Sequence, residues 1–226
     1  MRTIVLTLLL LAGIPLLATP STLVWIPSTD VQSPNTVHLG SDSYIFTNGG
    51  NTAPFVDEGI TYGLMPRVEV GVDSVSPFYN IKGEASNPLW LNAKLALITA
   101  SDKQPLALAV GAYNVSPQKN ANAQLLYGVG SYTLYGIRLT AGGYQGNKKV
   151  IGSDNSGMLL GIDKSIGKWW LGADYQSGDN AFGAWNAGIG YNFTDKISAI
   201  IGYDHYNAPA IVGAKGSVTI QIDINL

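Results

Sequence analysis

From residue 36 to the last residue, apolar and polar side chains alternate, and within that alternation every second predicted strand, six in all, carries a Gly followed two positions later by Asp or Tyr. The copies are Gly40-Ser41-Asp42, Gly71-Val72-Asp73, Gly111-Ala112-Tyr113, Gly142-Gly143-Tyr144, Gly172-Ala173-Asp174 and Gly202-Tyr203-Asp204. A period of two belongs to strands, where residues i and i+2 share a face. Each Gly therefore lies beside its Asp or Tyr, on the less apolar face of its strand. Successive copies are about 30 to 40 residues apart, the length of one β-hairpin with its connection, so the chain reads as a repeated hairpin unit. The 27 glycines suit tightly curved sheet rather than helix.

The alternation predicts twelve strands in close succession. The first six lie near Thr36–Thr47, Asp57–Met65, Arg67–Ser76, Pro88–Thr99, Pro105–Ser116 and Ala123–Leu134. The second six lie near Ile137–Gly146, Ser156–Ile166, Lys168–Ser177, Ala181–Phe193, Lys196–Asn207 and Ser217–Leu226. Tight turns follow the even strands (Met65-Pro66-Arg67, Ala100–Gln104, Tyr135-Gly136, Gly167-Lys168 and Thr194-Asp195), and longer polar stretches follow the odd ones. The long stretches are Asn48–Val56, Pro77–Asn87, Pro117–Asn122, Asn147–Asn155 and Ala208–Gly216; Gly178-Asp179-Asn180 is the short exception. An even strand count with alternating short and long connections is the rhythm of an antiparallel up-and-down β-barrel that crosses a membrane.

The N-terminus supplies an export route. Met1-Arg2-Thr3 precedes an apolar run from Ile4 to Leu17, closed by Ala18-Thr19-Pro20, which describes a signal peptide over residues 1–18. A helical anchor needs roughly 20 apolar residues, and Pro15 and Pro20 interrupt this stretch. The chain has no Cys, so disulfides do not hold the exported protein together. A net charge of -2 with 12% charged residues excludes a nucleic-acid binder and a polybasic membrane-surface protein. Residues 19–35, with Leu23-Val24-Trp25-Ile26 between Pro20 and Pro27, would make a thirteenth strand and put the termini at opposite ends. This segment is expected to be irregular, at the periplasmic mouth or folded into the lumen, with the barrel proper spanning residues 36–226.

Aromatic residues also sort along the strands. On the apolar face, Trp169, Tyr191 and Phe193 fall at turn ends, and Tyr175, Phe182 and Tyr203 toward loop ends. Two such belts match the two water interfaces of a membrane barrel. With these features the mature chain resembles the small bacterial outer-membrane β-barrel proteins, porin-like in architecture and without a named functional family. Its last strand, Val218–Leu226, is similar to the C-terminal assembly signal of that class but ends in Leu226, where an aromatic residue is usual. The resemblance implies an outer-membrane location, contact with membrane lipid and lipopolysaccharide, delivery by the outer-membrane assembly machinery, and possible passage of small solutes.

If the apolar face meets lipid, the other face lines a lumen. Asp42, Asp73, Tyr113, Tyr144, Asp174 and Asp204 are expected to form an acidic and aromatic ring in its outer half. Arg67, Glu69, Lys94, Arg138, Asp163 and Asp223 form a candidate ionic network, while Trp90, Tyr132 and Trp170 take up space. Seven inward acids (Asp42, Glu69, Asp73, Asp163, Asp174, Asp204 and Asp223) against three bases (Arg67, Lys94 and Arg138) leave an acidic interior that prefers cations. Two readings stay open: a narrow cation-preferring channel for small solutes, or a closed barrel of ion pairs and Gly notches filled by Tyr, serving structure or surface binding. Twelve strands fall between filled small barrels and open wide ones. An enzyme is not expected. His205 faces lipid beside inward Asp204, with Ser217 on the adjoining strand as the one remote hydrolase partner, and no metal-ligand spacing or cofactor motif occurs.

Overall fold

The computed structural model describes residues 21–47, 54–101 and 103–226. The expected signal peptide and residues 48–53 of the first long connection lie outside the described residues. The strands are β1 (Val37–Thr47), β2 (Phe55–Met65), β3 (Val68–Ser76), β4 (Phe78–Tyr79), β5 (Ala85–Ser86), β6 (Leu89–Ile98) and β7 (Leu106–Val115). They continue with β8 (Leu125–Leu134), β9 (Ile137–Gln145), β10 (Ser156–Ile166), β11 (Trp169–Gln176), β12 (Ala184–Asn192), β13 (Ile197–Tyr206) and β14 (Gly216–Asn225). One-turn helices α1 (Lys148–Ile151) and α2 (Pro209–Val212) sit in two of the long connections.

Twelve strands close a barrel by antiparallel neighbour pairing, and β4 with β5 forms a separate small hairpin in the connection after β3. Closure joins β1 to β14, with Ser43 opposite Ile220 and Leu226 N–H donating to the Val37 carbonyl at 2.8 Å. Observed and expected strand ends differ by three residues at most. The largest difference is at β12, which begins at Ala184 rather than Ala181. The buried Asn180 side chain accepts from the amides of Phe182 and Gly183 at 2.8 and 3.0 Å and turns that stretch inward.

Alternation sets what each face meets. Every barrel strand exposes at least one large apolar or aromatic side chain, among them Ile45 on β1, Leu95 on β6, Leu160 on β10 and Ile222 on β14. The largest apolar patch on a soluble monomer is about 300–600 Å²; a belt around a whole barrel belongs in hydrocarbon. Barrel strands of 8 to 11 residues have about the length that tilted strands need to span it. No helix among the described residues is long and apolar enough to cross a membrane.

At the turn end Trp169 packs edge-on against Tyr191 at 4.7 Å, and Tyr191 against Phe193 at 5.2 Å. At the loop end Tyr175 stacks on Trp185 at 4.0 Å, with Tyr203 exposed nearby. Phe182 is not part of that outer belt, because the Asn180-capped turn carries it into the interior, where it is buried. Tyr132 differs in the opposite sense: it is 47% exposed and faces outward, since Ser131 takes the inward place on β8.

Candidate functional site: the plugged lumen

The lumen is occupied by the chain's own N-terminal segment. Residues 21–28 fold into a tight hairpin: Leu23 N–H donates to the Ile26 carbonyl at 2.9 Å, and Ser28 N–H to Ser21 at 3.0 Å. Its apolar tip, Leu23, Val24 and Ile26, is at most 1% exposed, so this short run finds inside the barrel the burial it lacks as a free strand. The following residues descend to the turn-end mouth, where Asn35 N–H donates to Gly63 on β2 at 2.8 Å and β1 begins.

Buried charges hold this plug to the wall. The amides of Val24 and Trp25 donate to Asp174 Oδ2 at 2.8 and 2.9 Å, with Ile26 N–H at 3.4 Å. Three successive amides converging on one carboxylate oxygen make a nest, the concavity that backbone N–H groups offer to anions. Asn186 donates to the other oxygen at 2.7 Å, and Gln221 Nε2 donates to the Val24 carbonyl at 2.8 Å. Gly161 lets the tip approach: a Cβ there would lie 2.5 Å from Leu23 Cδ1.

Nearer the turn end, Lys94 pairs with Glu69 at 3.2 Å and donates to the carbonyls of Ser21 and Asp30 at 2.8 and 2.7 Å. Glu69 in turn accepts from Ser21 Oγ at 2.8 Å and Gln32 N–H at 2.6 Å. Arg138 bridges Asp163 on β10, at 2.8 Å, and Asp30 of the plug. Trp170 Nε1 donates to Asp163 at 3.2 Å. Removing one partner of a buried pair leaves an uncompensated charge, so Glu69 and Lys94, each 4% exposed, tie plug and wall together firmly.

The expected ionic network therefore assembles in part. Glu69, Lys94, Arg138 and Asp163 come together around the plug. Asp223 stands apart, facing His38 Nε2 at 3.2 Å across the closure seam. Arg67 is not in the lumen: it has φ 72° in the turn between β2 and β3 and is exposed, so the inward row of β3 starts at Glu69. Asp30 and His38 were missed because neither belongs to a repeated signature.

The six ring residues all face inward but do not surround one opening. Asp174 is taken by the plug amides. Asp204 accepts from Ser217 Oγ at 2.7 Å, and that hydroxyl also meets Tyr206 Oη at 2.8 Å. Tyr144 donates to the Ser177 carbonyl at 2.5 Å and accepts from Asn180 at 2.7 Å, within the loop-end seal. Ser217 is wholly buried while His205 is exposed on the outer face, so no Ser–His pair forms.

Asp42, Asp73 and Tyr113 line a cavity of about 190 Å³ between the plug and the wall of β1, β2, β3, β6 and β7. Asp57 joins them and was overlooked, although it shares a face with Gly59, Thr61 and Gly63 in the sequence. Asp42 and Asp57 are direct cross-strand partners. Asp73 accepts from Asn92 Nδ2 at 2.5 Å; among the described residues none of the three acids makes an ion pair, and Asp57 Oδ1 is buried without a hydrogen bond.

Aromatic rings roof this space in a closed cycle. Centroids run Trp25 to Tyr44 at 5.3 Å, Tyr44 to Phe55 at 5.5 Å and Phe55 to Trp90 at 6.4 Å; Trp90 to Phe182 and Phe182 to Trp25 are each 6.3 Å. All five rings line the cavity. Above them the long connections fold inward on Phe78, Ala121, Val150 and Ile151, with Trp90 Nε1 donating to the Ala121 carbonyl at 2.8 Å.

The architecture is porin-like. The fold resembles a solved KdgM porin with a TM-score of 0.57 at 8% identity, covering 84% of this chain and 97% of that one. A triple mutant of Rhodopseudomonas blastica porin aligns at TM-score 0.41 and 12% identity, over 76% of this chain and 55% of that chain. No protein-family model and no curated protein sequence matches the chain. Within this porin-like barrel, the plug and the acidic cavity beside it are the features that bear on function.

Proposed function

We propose that this is an outer-membrane barrel that conducts small solutes through a narrow, weakly cation-preferring path, closed in the present arrangement by its N-terminal plug. The short turns face the periplasm and the long loops the outside, following the usual asymmetry of such barrels. The observation that carries this reading is the unfilled wall of β1 to β7, where Asp42, Asp57 and Asp73 face open space without a basic partner. Rings of carboxylates at a constriction attract cations and repel anions. Exposed lysines at the loop end (Lys82, Lys119, Lys148, Lys149 and Lys215) suit the phosphates of lipopolysaccharide, and the Tyr175–Trp185 stack suits its acyl boundary.

Sealed on this view means latched, and planar-bilayer recording tests it. The mature chain is expected to give rare, small current steps, and the chain lacking residues 19–35 frequent and larger ones. Replacing Asp42, Asp57 and Asp73 together by Asn should reduce cation preference in the plug-less barrel, whereas Asp204→Asn should not. A plug-less barrel that folds and stays silent would leave the second reading, a closed structural or surface-binding barrel, which the aromatic roof favours.

A further inference from the structure

We propose that the cavity beneath the aromatic roof is a binding site for a small organic cation of the alkylammonium class. Three independent features meet there. The first is electrostatic: Asp42 and Asp57 stand directly opposite each other on β1 and β2, with Asp73 diagonal to them. Like charges at directly opposed positions destabilise a sheet, and the unpartnered, buried Asp57 Oδ1 adds an acceptor with nothing to accept from. A cation between these strands removes both penalties.

The second feature is the roof. A cation within about 6 Å of an aromatic centroid is held by the ring quadrupole, best by Trp, and groups of rings are the usual receptor for alkylated ammonium ions. Trp25 and Trp90 both line the cavity, and the roof lies one inward step beyond the acids, since Tyr44 follows Asp42 by two residues and Phe55 precedes Asp57 by two. The third feature is room. Some 150 Å³ accommodates benzene, so about 190 Å³ holds a ligand of five to eight or so non-hydrogen atoms. No cluster of donors among the described residues is arranged to hold a metal ion, which favours an organic head over a bare divalent ion.

Gly40, Gly59 and Gly71 line the same cavity and keep its floor low. Lys94, the one basic side chain in its lining besides His38, is committed to Glu69 and the plug carbonyls. The site needs no open pore, so binding and conduction succeed or fail separately.

Isothermal titration calorimetry on the full mature barrel in non-ionic micelles tests this, with choline and its uncharged carbon isostere 3,3-dimethylbutan-1-ol as probes. Choline is expected to bind saturably, the isostere at least tenfold more weakly. D42N/D57N should lower choline affinity at least tenfold while melting no lower than the wild type without ligand, since it removes a repulsion. Choline should raise the melting temperature of the wild type and not of the variant. Absence of saturable choline binding, equal binding of the isostere, or equal choline affinity in D42N/D57N would each overturn the proposal.

Discussion

The two halves of the lumen wall are built from the same repeated hairpin yet meet different neighbours. The half from β8 to β14 pairs without a register shift and holds the plug through Asp174, Gln221 and Arg138, with Asn186 and Asp163 bonded behind them. The half from β1 to β7 carries register shifts at Gly63/Met65, Leu91/Ala93 and Ala96/Ile98 and leaves the cavity. Identical signatures thus acquire different roles: Asp174 is a bonded anchor and Asp42 an open carboxylate. Facing inward is a property of the strand. Being available is a property of what the plug leaves uncovered.

The largest effect that can break this comparison is at the Glu69–Lys94 pair, which links the hollow wall to the plug. Lys94→Met strands a buried carboxylate and should cost about 3–5 kcal/mol, read as a lower melting temperature in micelles. Adding Glu69→Gln should recover most of that loss.

Next comes a matched pair of glycines. Gly161→Val drives atoms into Leu23 on the packed side and should cost about 1–3 kcal/mol by overpacking, with more frequent current steps as the plug is displaced. Gly40→Ala on the hollow side meets only His38 Nε2 at 3.6 Å and should leave stability and current nearly unchanged. Equal costs at the two positions would erase the distinction between the walls.

A smaller effect is expected at Asp42→Asn. Relief of the cross-strand repulsion with Asp57 should stabilise by less than about 1 kcal/mol, where Asp174→Ala should destabilise by releasing the three plug amides.

Much of the fold could be read from the chain because a period of two leaves little freedom. Val218, Ile220, Ile222 and Ile224 on one face, against Thr219, Gln221 and Asp223 on the other, fix both the strand and its exposure. The inward placement of Asp42, Asp73, Asp174 and Asp204 follows from the same parity. What parity cannot carry is where strands begin and what fills the space between them. Arg67, at φ 72°, belongs to the turn, so the alternation of β3 begins one residue later than expected. Phe182 moved inside because Asn180, a turn residue, redirects the chain. The plug's grip on Asp174 spans about 150 residues of sequence and runs through backbone amides, which carry no side-chain signal at all.

Residues 21–28 lie in the lumen against the β8–β14 wall, and a disulfide reports that placement directly. The chain contains no Cys, so a Val24→Cys, Gly188→Cys pair gives an unambiguous crosslink. A Cβ at Gly188 would lie 3.3 Å from Val24 Cγ2, close enough for disulfide geometry. Spontaneous oxidation of nearly all folded barrels, seen as a reducible gel shift, is the expected result. Two free thiols that alkylate readily in the folded barrel would contradict it.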